Sequence, residues 1–299
     1  MAGLRVRDDR GRVVIFPTPP RRIVSLVPSD TYTVARLAGV SRLVGRTTYC
    51  EEPRGEIEAI PTVGGTKDAS ADAIRALQPD LVIANQEENT KATLEALAQA
   101  GVPVFVVFPK RVDDGIALVA RLAMILGVAK EPAARELVRA AHRSLQEALR
   151  VRATLTPVRA FCPIWADPLM TIHGDTYISD AMDLAGAQNV FADRERRYPL
   201  AADLGKAPAL PKTRVLFRDT RYPRITDEEL VTRAPDLVLL PDEPHPFSED
   251  DAARFRAMDL PAARSGRIVR LSGKDLCWYG AWAIEGIPRL RATIAALAP

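Results

Sequence analysis

Cysteine and histidine are scarce, with three of each in 299 residues. Cys50, Cys162 and Cys277 are odd in number, far apart and without C-x-x-C spacing, which excludes a disulfide framework and a structural zinc site. His142, His173 and His245 fall in different regions, so a bare metal ion would need His173, His245, Glu243 and Asp275 gathered from distant stretches. No 18 consecutive apolar residues occur, and residues 1–10 hold no apolar signal-peptide core. A membrane-spanning segment is therefore not expected. Charge of one sign is missing too. The balance is 41 basic against 38 acidic residues, with no basic run interleaved with aromatics, which argues against a nucleic-acid partner. There is no G-x-x-x-x-G-K-[S/T], no G-x-G-x-x-G after a strand, no G-x-S-x-G and no H-E-x-x-H. Nor does any nucleophile–base pair stand out, so catalysis is not expected.

What is present is one phrase, written twice. Asp72-Ala-Ile-Arg-Ala-Leu-Gln-Pro79-Asp80-Leu-Val-Ile83 returns as Glu228-Glu-Leu-Val-Thr-Arg-Ala-Pro235-Asp236-Leu-Val-Leu239, at an offset of 235 − 79 = 156 residues. Each copy reads as a short amphipathic helix, a Pro-Asp stop, and a strand too short and β-branched to be a second helix. Each strand runs into a polar loop, at 85–89 and at 241–246. Hydrophobic residues make up 47% and charged ones 26%, the composition of a globular chain long enough for two domains. Two similar lobes with loops at strand carboxyl ends suit a protein that binds a small molecule in a cleft.

Around the repeat, helical and strand patterns alternate, which predicts an α/β fold of two Rossmann-like lobes with mostly parallel sheets. A hairpin is expected from 4–6 and 13–16. A buried strand at 22–27 should lead into a helix capped by Ser29 or Asp30. Apolar residues keep helical spacing from Pro132 to about Ala153, some 22 residues, or roughly 33 Å of helix. No Gly-, Ser- or Pro-rich hinge interrupts this stretch, so a single stiff backbone helix should join the halves. The expected domains are 1–128, a linking helix over 129–155, and 156–299. The stretch 194–221, with Arg-Tyr-Pro at both Arg197 and Arg221, reads as an inserted excursion containing one strand at 215–217.

The loops at 28–32, 47–49, 64–67, 85–89, 165–168, 197–199, 221–223, 243–247 and 275–279 concentrate aromatics, prolines and hydrogen-bonding groups. Flat aromatic faces with a few donors and acceptors suit a large rigid ligand. The candidate contacts they supply are Ser29, Lys67, Glu88, Trp165, Tyr198, Arg221, Glu243 and Trp278, with Lys67, Arg221 and Asp275 setting charge preference.

The series Arg22-Ile-Val-Ser-Leu-Val-Pro28-Ser, Leu-Val-Gly-Arg, Pro-x-Val-Gly-Gly-Thr-Lys67 and Ile-x-Ala-Leu-x-Pro-Asp-Leu-Val-Ile83 resembles the substrate-binding proteins of metal-chelate ABC importers. These are the vitamin B12 and ferric-siderophore receptors with a helical backbone, the type III periplasmic-binding-protein fold. Trp165-x-x-Pro168-x-x-Thr171, Asp175-Thr-Tyr, Asn189-Val-Phe, Glu243-Pro and Asp275 look closest to the cobalamin-binding branch.

The resemblance implies a ligand rather than a resident cofactor: a cobalamin-like chelate, a ferric siderophore or heme. It places Pro28, Tyr49, Thr66, Tyr222, Asp275 and Tyr279 at ligand-contacting positions, and Asp72 and Glu228 where acidic residues dock on a permease. It also implies an ABC permease and ATPase as partners and a monomeric binding protein. Thr66 replaces an aromatic of the vitamin B12 receptor, which removes one stacking face. The expected location is the periplasm or cell surface if a leader has been trimmed, and the cytoplasm if the N-terminus is as written. In the latter case a corrinoid or metal-chelate handling protein without a permease is the alternative. A chelatase-like enzyme using His173 or His245 is the remaining one.

Overall fold

The structure, a computed structural model, describes residues 3–297. Its strands are β1 (Leu4–Arg7), β2 (Val13–Phe16), β3 (Ile23–Ser25), β4 (Leu43–Arg46), β5 (Leu81–Asn85), β6 (Val104–Val107), β7 (Val158–Phe161), β8 (Trp165–Ala166), β9 (Leu169–Met170), β10 (Ala187–Asn189), β11 (Leu237–Pro241) and β12 (Ile268–Leu271). The helices used below are α1 (Pro28–Ala38), α2 (Ala71–Ala76), α3 (Lys91–Gln99), α4 (Val112–Ile125), α5 (Pro132–Arg152), α6 (Tyr177–Leu184), α7 (Leu200–Asp203) and α8 (Asp227–Arg233). The chain divides into two compact units. The first takes the chain up to Pro109, Asp113–Leu145 and Trp278–Ile284; the second takes Lys110–Val112, Gln146–Cys277 and the chain from Glu285 on. Helix α5 is continuous across this division, over 21 residues.

Each unit holds a four-stranded, wholly parallel sheet, ordered β4-β3-β5-β6 in the first and β10-β7-β11-β12 in the second. Both orders are 2-1-3-4 by appearance in the chain. β5 and β11 are buried along their whole length. That is why they read as unbroken apolar runs rather than alternating ones, since a parallel sheet covered on both faces leaves no wet side. The first core gathers Val24, Leu26, Ile74, Val82, Leu94 and Val106, and the second Phe161, Phe191, Leu230, Val238, Phe247 and Phe255.

The repeat extends to backbone detail. Ser70 caps α2 by accepting from the Ala73 N–H, and Thr226, 156 residues on, caps α8 by accepting from the Glu229 N–H. Ile74 and Leu230 are the buried anchors of the two helices. Among the described residues, Gln78 (φ 47°) and Ala234 (φ 45°) are the non-glycine residues with positive φ, and both precede the Pro-Asp stop. A left-handed residue ends the helix and reverses the chain into the strand. An arginine beside the first strand of each sheet braces the turn. Arg22 donates to the Leu77 and Gln78 carbonyls, and Arg159 to the Arg233 carbonyl. These cationic groups satisfy the carbonyls that a helix end leaves unpaired.

Two local expectations are corrected. α1 starts at Pro28 with Val27 as its N-cap and no side-chain cap, so Ser29 and Asp30 do not cap it. Proline's fixed φ suits the first helical position, which moves Ser29 and Asp30 into the first turn, where both are buried. The strand expected at 215–217 is absent. A 3-10 turn at Lys212–Arg214 leads to a loop in which Phe217 is fully exposed. Three apolar residues without a neighbouring strand to pair with gain nothing from extending.

Candidate ligand-binding loops

In an open parallel sheet, ligands bind outside the carboxyl ends of the strands, where the strand order reverses. In the first unit this end is formed by the turns after β3 and β5. β3 delivers Pro28 and Ser29 at the head of α1. β5 delivers a loop in which the Asn89 side chain accepts from the Asn85 N–H (2.8 Å) and donates to the carbonyls of Thr66 (2.9 Å) and Leu26 (3.2 Å). The Asn85 carboxamide accepts from the N–H groups of Glu87 and Glu88 and donates to the Tyr279 hydroxyl at 3.1 Å. Tyr279 donates in turn to Asp30 Oδ2 at 2.9 Å. This network ties Ser29, Thr66, Glu88 and Tyr279 to one end of the sheet. Lys67 joins it through the Glu87 carbonyl and lies 3.8 Å from Glu88. Tyr49, 62% exposed, stands beside Gly65.

Asp30 has no counterpart among the sequence-derived candidates. It is fully buried, and its Oδ1 has no hydrogen-bond partner. Burial raises its pKa to about 7, outweighing the Tyr279 hydrogen bond that lowers it, with nearby Asp9 adding a smaller upward push. Burial and the Asp30 charge also raise the Tyr279 phenol well above its ordinary value. Trp278 packs edge-to-face on Trp282 (5.0 Å between centroids), and Trp282 on Tyr32 (5.1 Å). Gly280, at φ +71°, lets this segment pass Thr33, where any Cβ would come within 2.4 Å of the hydroxyl. The Thr33 hydroxyl accepts from the Ala281 N–H instead.

In the second unit, the β8–β9 hairpin and the loop after β11 meet through aromatic contact. Trp165, 46% exposed, lies 5.1 Å from the His245 ring, which in turn abuts Phe247 at 4.7 Å. Glu243 belongs to the same loop, its carbonyl accepting from the Cys277 thiol. Asp275 is engaged by Arg289, with a shortest contact of 2.7 Å. Its negative charge is thus largely matched within the fold. Tyr198 and Arg221 lie in the excursion, and Tyr222 follows it directly. The Tyr198 hydroxyl donates to the Asp219 carbonyl, Arg221 pairs with the Asp219 carboxylate at 2.6 Å, and its guanidinium sits 5.5 Å from the centre of the Tyr222 ring. The excursion is anchored by Arg194, which is buried, pairs with Asp203 (3.0 Å) and reaches Glu229 on α8 (2.8 Å). That anchor links residues up to 35 positions apart and left no local mark in the sequence.

Asp72 and Glu228 lie at the second position of α2 and of α8, and both are exposed. The backbone amide and Thr226 hydroxyl at the helix start lower the Glu228 pKa.

Burial raises the Cys50 thiol and pushes Cys162 up to about 12, the signature of inert rather than reactive thiols. Among the described residues no three His, Cys, Asp or Glu side chains are grouped to hold a bare metal ion. His173 instead accepts from the Asp175 N–H. An open depression of about 460 Å³ in the first unit is walled by Arg46, Cys50, Arg54 and Glu58 among others. Arg46 spends its donors there on the Ile57, Thr47 and Cys50 carbonyls, so it holds the loop together rather than presenting charge to a ligand.

Residues 23–274 match the periplasmic binding protein family. The chain belongs to that family. It is 26% identical over 258 residues to the vitamin B12-binding protein of Vibrio parahaemolyticus, covering 85% of this chain and 82% of that one. Among solved structures it is similar to a periplasmic heme-binding protein from Roseiflexus sp. RS-1, with a TM-score of 0.74 at 20% identity, covering 93% of this chain and 99% of that one. It is also similar to an ABC-type Fe3+-hydroxamate transport protein from Saccharomonospora viridis, with a TM-score of 0.71 at 20% identity, covering 98% and 99%. The α/β architecture with parallel sheets is that of these periplasmic binding proteins. Among the described residues no helix is long and apolar enough to cross a membrane.

Proposed function

We propose that this chain binds a metal chelate (a cobalamin-like compound, a ferric siderophore or heme) and hands it to an ABC permease, driven by a partner ATPase, without chemistry of its own. The observation that carries the reading is the periplasmic-binding-protein fold with aromatic and hydrogen-bonding side chains at strand carboxyl ends and inert thiols. The contacts assigned are Pro28, Ser29, Tyr49, Thr66, Lys67, Glu88, Trp278 and Tyr279 in the first unit. Trp165, Tyr198, Arg221, Tyr222, Glu243 and Asp275 are assigned in the second. Trp165 and Tyr49 are the strongest stacking candidates, because each leaves a large aromatic face open to solvent on a candidate loop.

The permease contact is assigned to Asp72 and Glu228, exposed carboxylates on equivalent turns of a duplicated helix. A pair of like charges repeated by the fold suits a partner that presents two basic pockets. Isothermal titration with cyanocobalamin, hemin and a ferric trihydroxamate tests the proposal. One of the three should bind with a Kd of about 1 μM or tighter, as suits a capture protein. Failure of all three at tens of micromolar would contradict the reading.

A further inference from the structure

The charge of this chain is unevenly placed. Residues 194–224 contain nine Lys and Arg and three Asp and Glu, a net of +6, against +3 for the whole chain. The other residues together are therefore net negative. Of its three acids, two are committed within the stretch, Asp203 to Arg194 and Asp219 to Arg221, and Glu195 is exposed. Among the described residues no carboxylate lies within ion-pair distance of Arg196, Arg218 or Arg224.

These three guanidinium groups are nevertheless held close together. Arg196 and Arg218 lie 4.5 and 4.9 Å from the centre of the Tyr198 ring. Burial and the neighbouring charge of Arg196 lower the Arg224 pKa, against a smaller upward pull from Asp203 and Tyr198. Arg196 Nε, Arg224 Nε and one terminal nitrogen of Arg224 are buried without a hydrogen-bond acceptor. The backbone that carries them is fixed: the Arg196 N–H donates to the Thr220 carbonyl (2.7 Å), the Arg224 N–H to Asp203 Oδ2 (2.7 Å), and the Tyr198 hydroxyl to the Asp219 carbonyl (2.7 Å). Buried donors without acceptors and crowded like charges both destabilise a fold, and an anion bound among them relieves both.

We propose that Arg196 and Arg218, over the Tyr198 ring, form with the neighbouring Arg224 a binding site for the carboxylates of an acidic metal chelate. This rests on the chelate-binding reading above and narrows it to ligands with two or more carboxylates. Two planar forks over one ring and a third beside them match separate planar carboxylates better than one compact charge, because each guanidinium can pair with a carboxylate through two parallel hydrogen bonds.

The test uses the full chain and four probes in calorimetry: hemin, hemin dimethyl ester, ferrioxamine B and metal-free citrate, with inorganic phosphate as a compact-anion control. Hemin should bind at least tenfold more tightly than its diester or ferrioxamine B, with affinity falling as salt rises. The R196Q/R224Q variant, shown folded by circular dichroism, should lose about 100-fold for hemin and little for the diester. R196K/R224K should recover part of the loss. Citrate should bind the wild type, lose affinity in R196Q/R224Q, and bind better than phosphate. Equal affinity for hemin and its diester, or wild-type hemin affinity in folded R196Q/R224Q, overturns the proposal. If no chelate binds but citrate does so through these arginines, the chelate reading fails and the carboxylate site stands. If neither a chelate nor citrate binds, both fail.

Discussion

In the first unit, β5 runs into a loop whose two asparagines turn their amides inward, onto the Leu26 and Thr66 carbonyls, the Glu87 and Glu88 amides and the Tyr279 hydroxyl. In the second unit, the excursion after β10 holds the Arg196 and Arg218 guanidinium groups over one tyrosine ring, with the Arg224 guanidinium nearby and none of the three in an ion pair with a carboxylate among the described residues. The helix–strand repeats beneath these loops match cap for cap, turn for turn and brace for brace. The contrast separates two roles. The duplicated scaffold fixes where loops emerge, and the loops are where the two units differ. A first-unit loop that satisfies its own backbone offers mainly shape and aromatic surface. A second-unit loop with donors to spare offers charge.

The largest effect should come from the anchor of the excursion. Arg194→Ala leaves Asp203 buried without its partner and should destabilise the protein by about 3–5 kcal/mol in urea unfolding. A loss under about 1 kcal/mol would mean that the excursion is not held by this pair.

Next is the buried carboxyl of the first unit. Asp30 has an ordinary pKa of 3.8 and one of about 7 in the folded protein, so between those values the folded chain holds a proton that the unfolded chain releases. Its contribution is complete below about pH 4 and lost as pH rises through 7, an expected fall of roughly 2–4 kcal/mol between pH 4 and 8. Asp30→Asn should remove that part of the slope in pH-dependent denaturation, and an unchanged slope would show that Asp30 is already ionised in the fold.

Ser70→Ala and Thr226→Ala test the scaffold itself. Each removes an N-cap and should cost about 1 kcal/mol, with the two losses within a few tenths of each other. The smallest stability change belongs to Asp72→Ala with Glu228→Ala, within about 0.5 kcal/mol because both groups are exposed. That pair should abolish chelate uptake in cells while calorimetric affinity stays the same.

The scaffold was largely legible in the sequence because its signals are local. The Pro-Asp stops, the apolar strands and the Thr176 cap on α6, which accepts from the Ser179 N–H, all act within a few residues. The 21-residue α5 shows in its unbroken helical spacing. The strand expected at 215–217 misled because a short apolar run becomes a strand only where a partner strand pairs with it, and among the described residues none pairs with 215–217. Asp30 was mistaken for a cap because its partner, Tyr279, lies 249 positions away. The same distance effect hid the Arg194–Asp203–Glu229 anchor and the brace from Arg22 to the end of α2. Of the candidate loops, the aromatic content was visible. Which donors the fold consumes internally was not, because that is settled by tertiary contacts such as Asn85 to Tyr279 and Asp275 to Arg289.

Native mass spectrometry of the full chain, incubated in turn with hemin, cyanocobalamin and a ferric trihydroxamate, tests the account most directly. The expected spectrum shows a single intact chelate, metal included, on each protein molecule for the cognate compound. Unliganded protein with every compound, at concentrations well above those of the calorimetry, would contradict it.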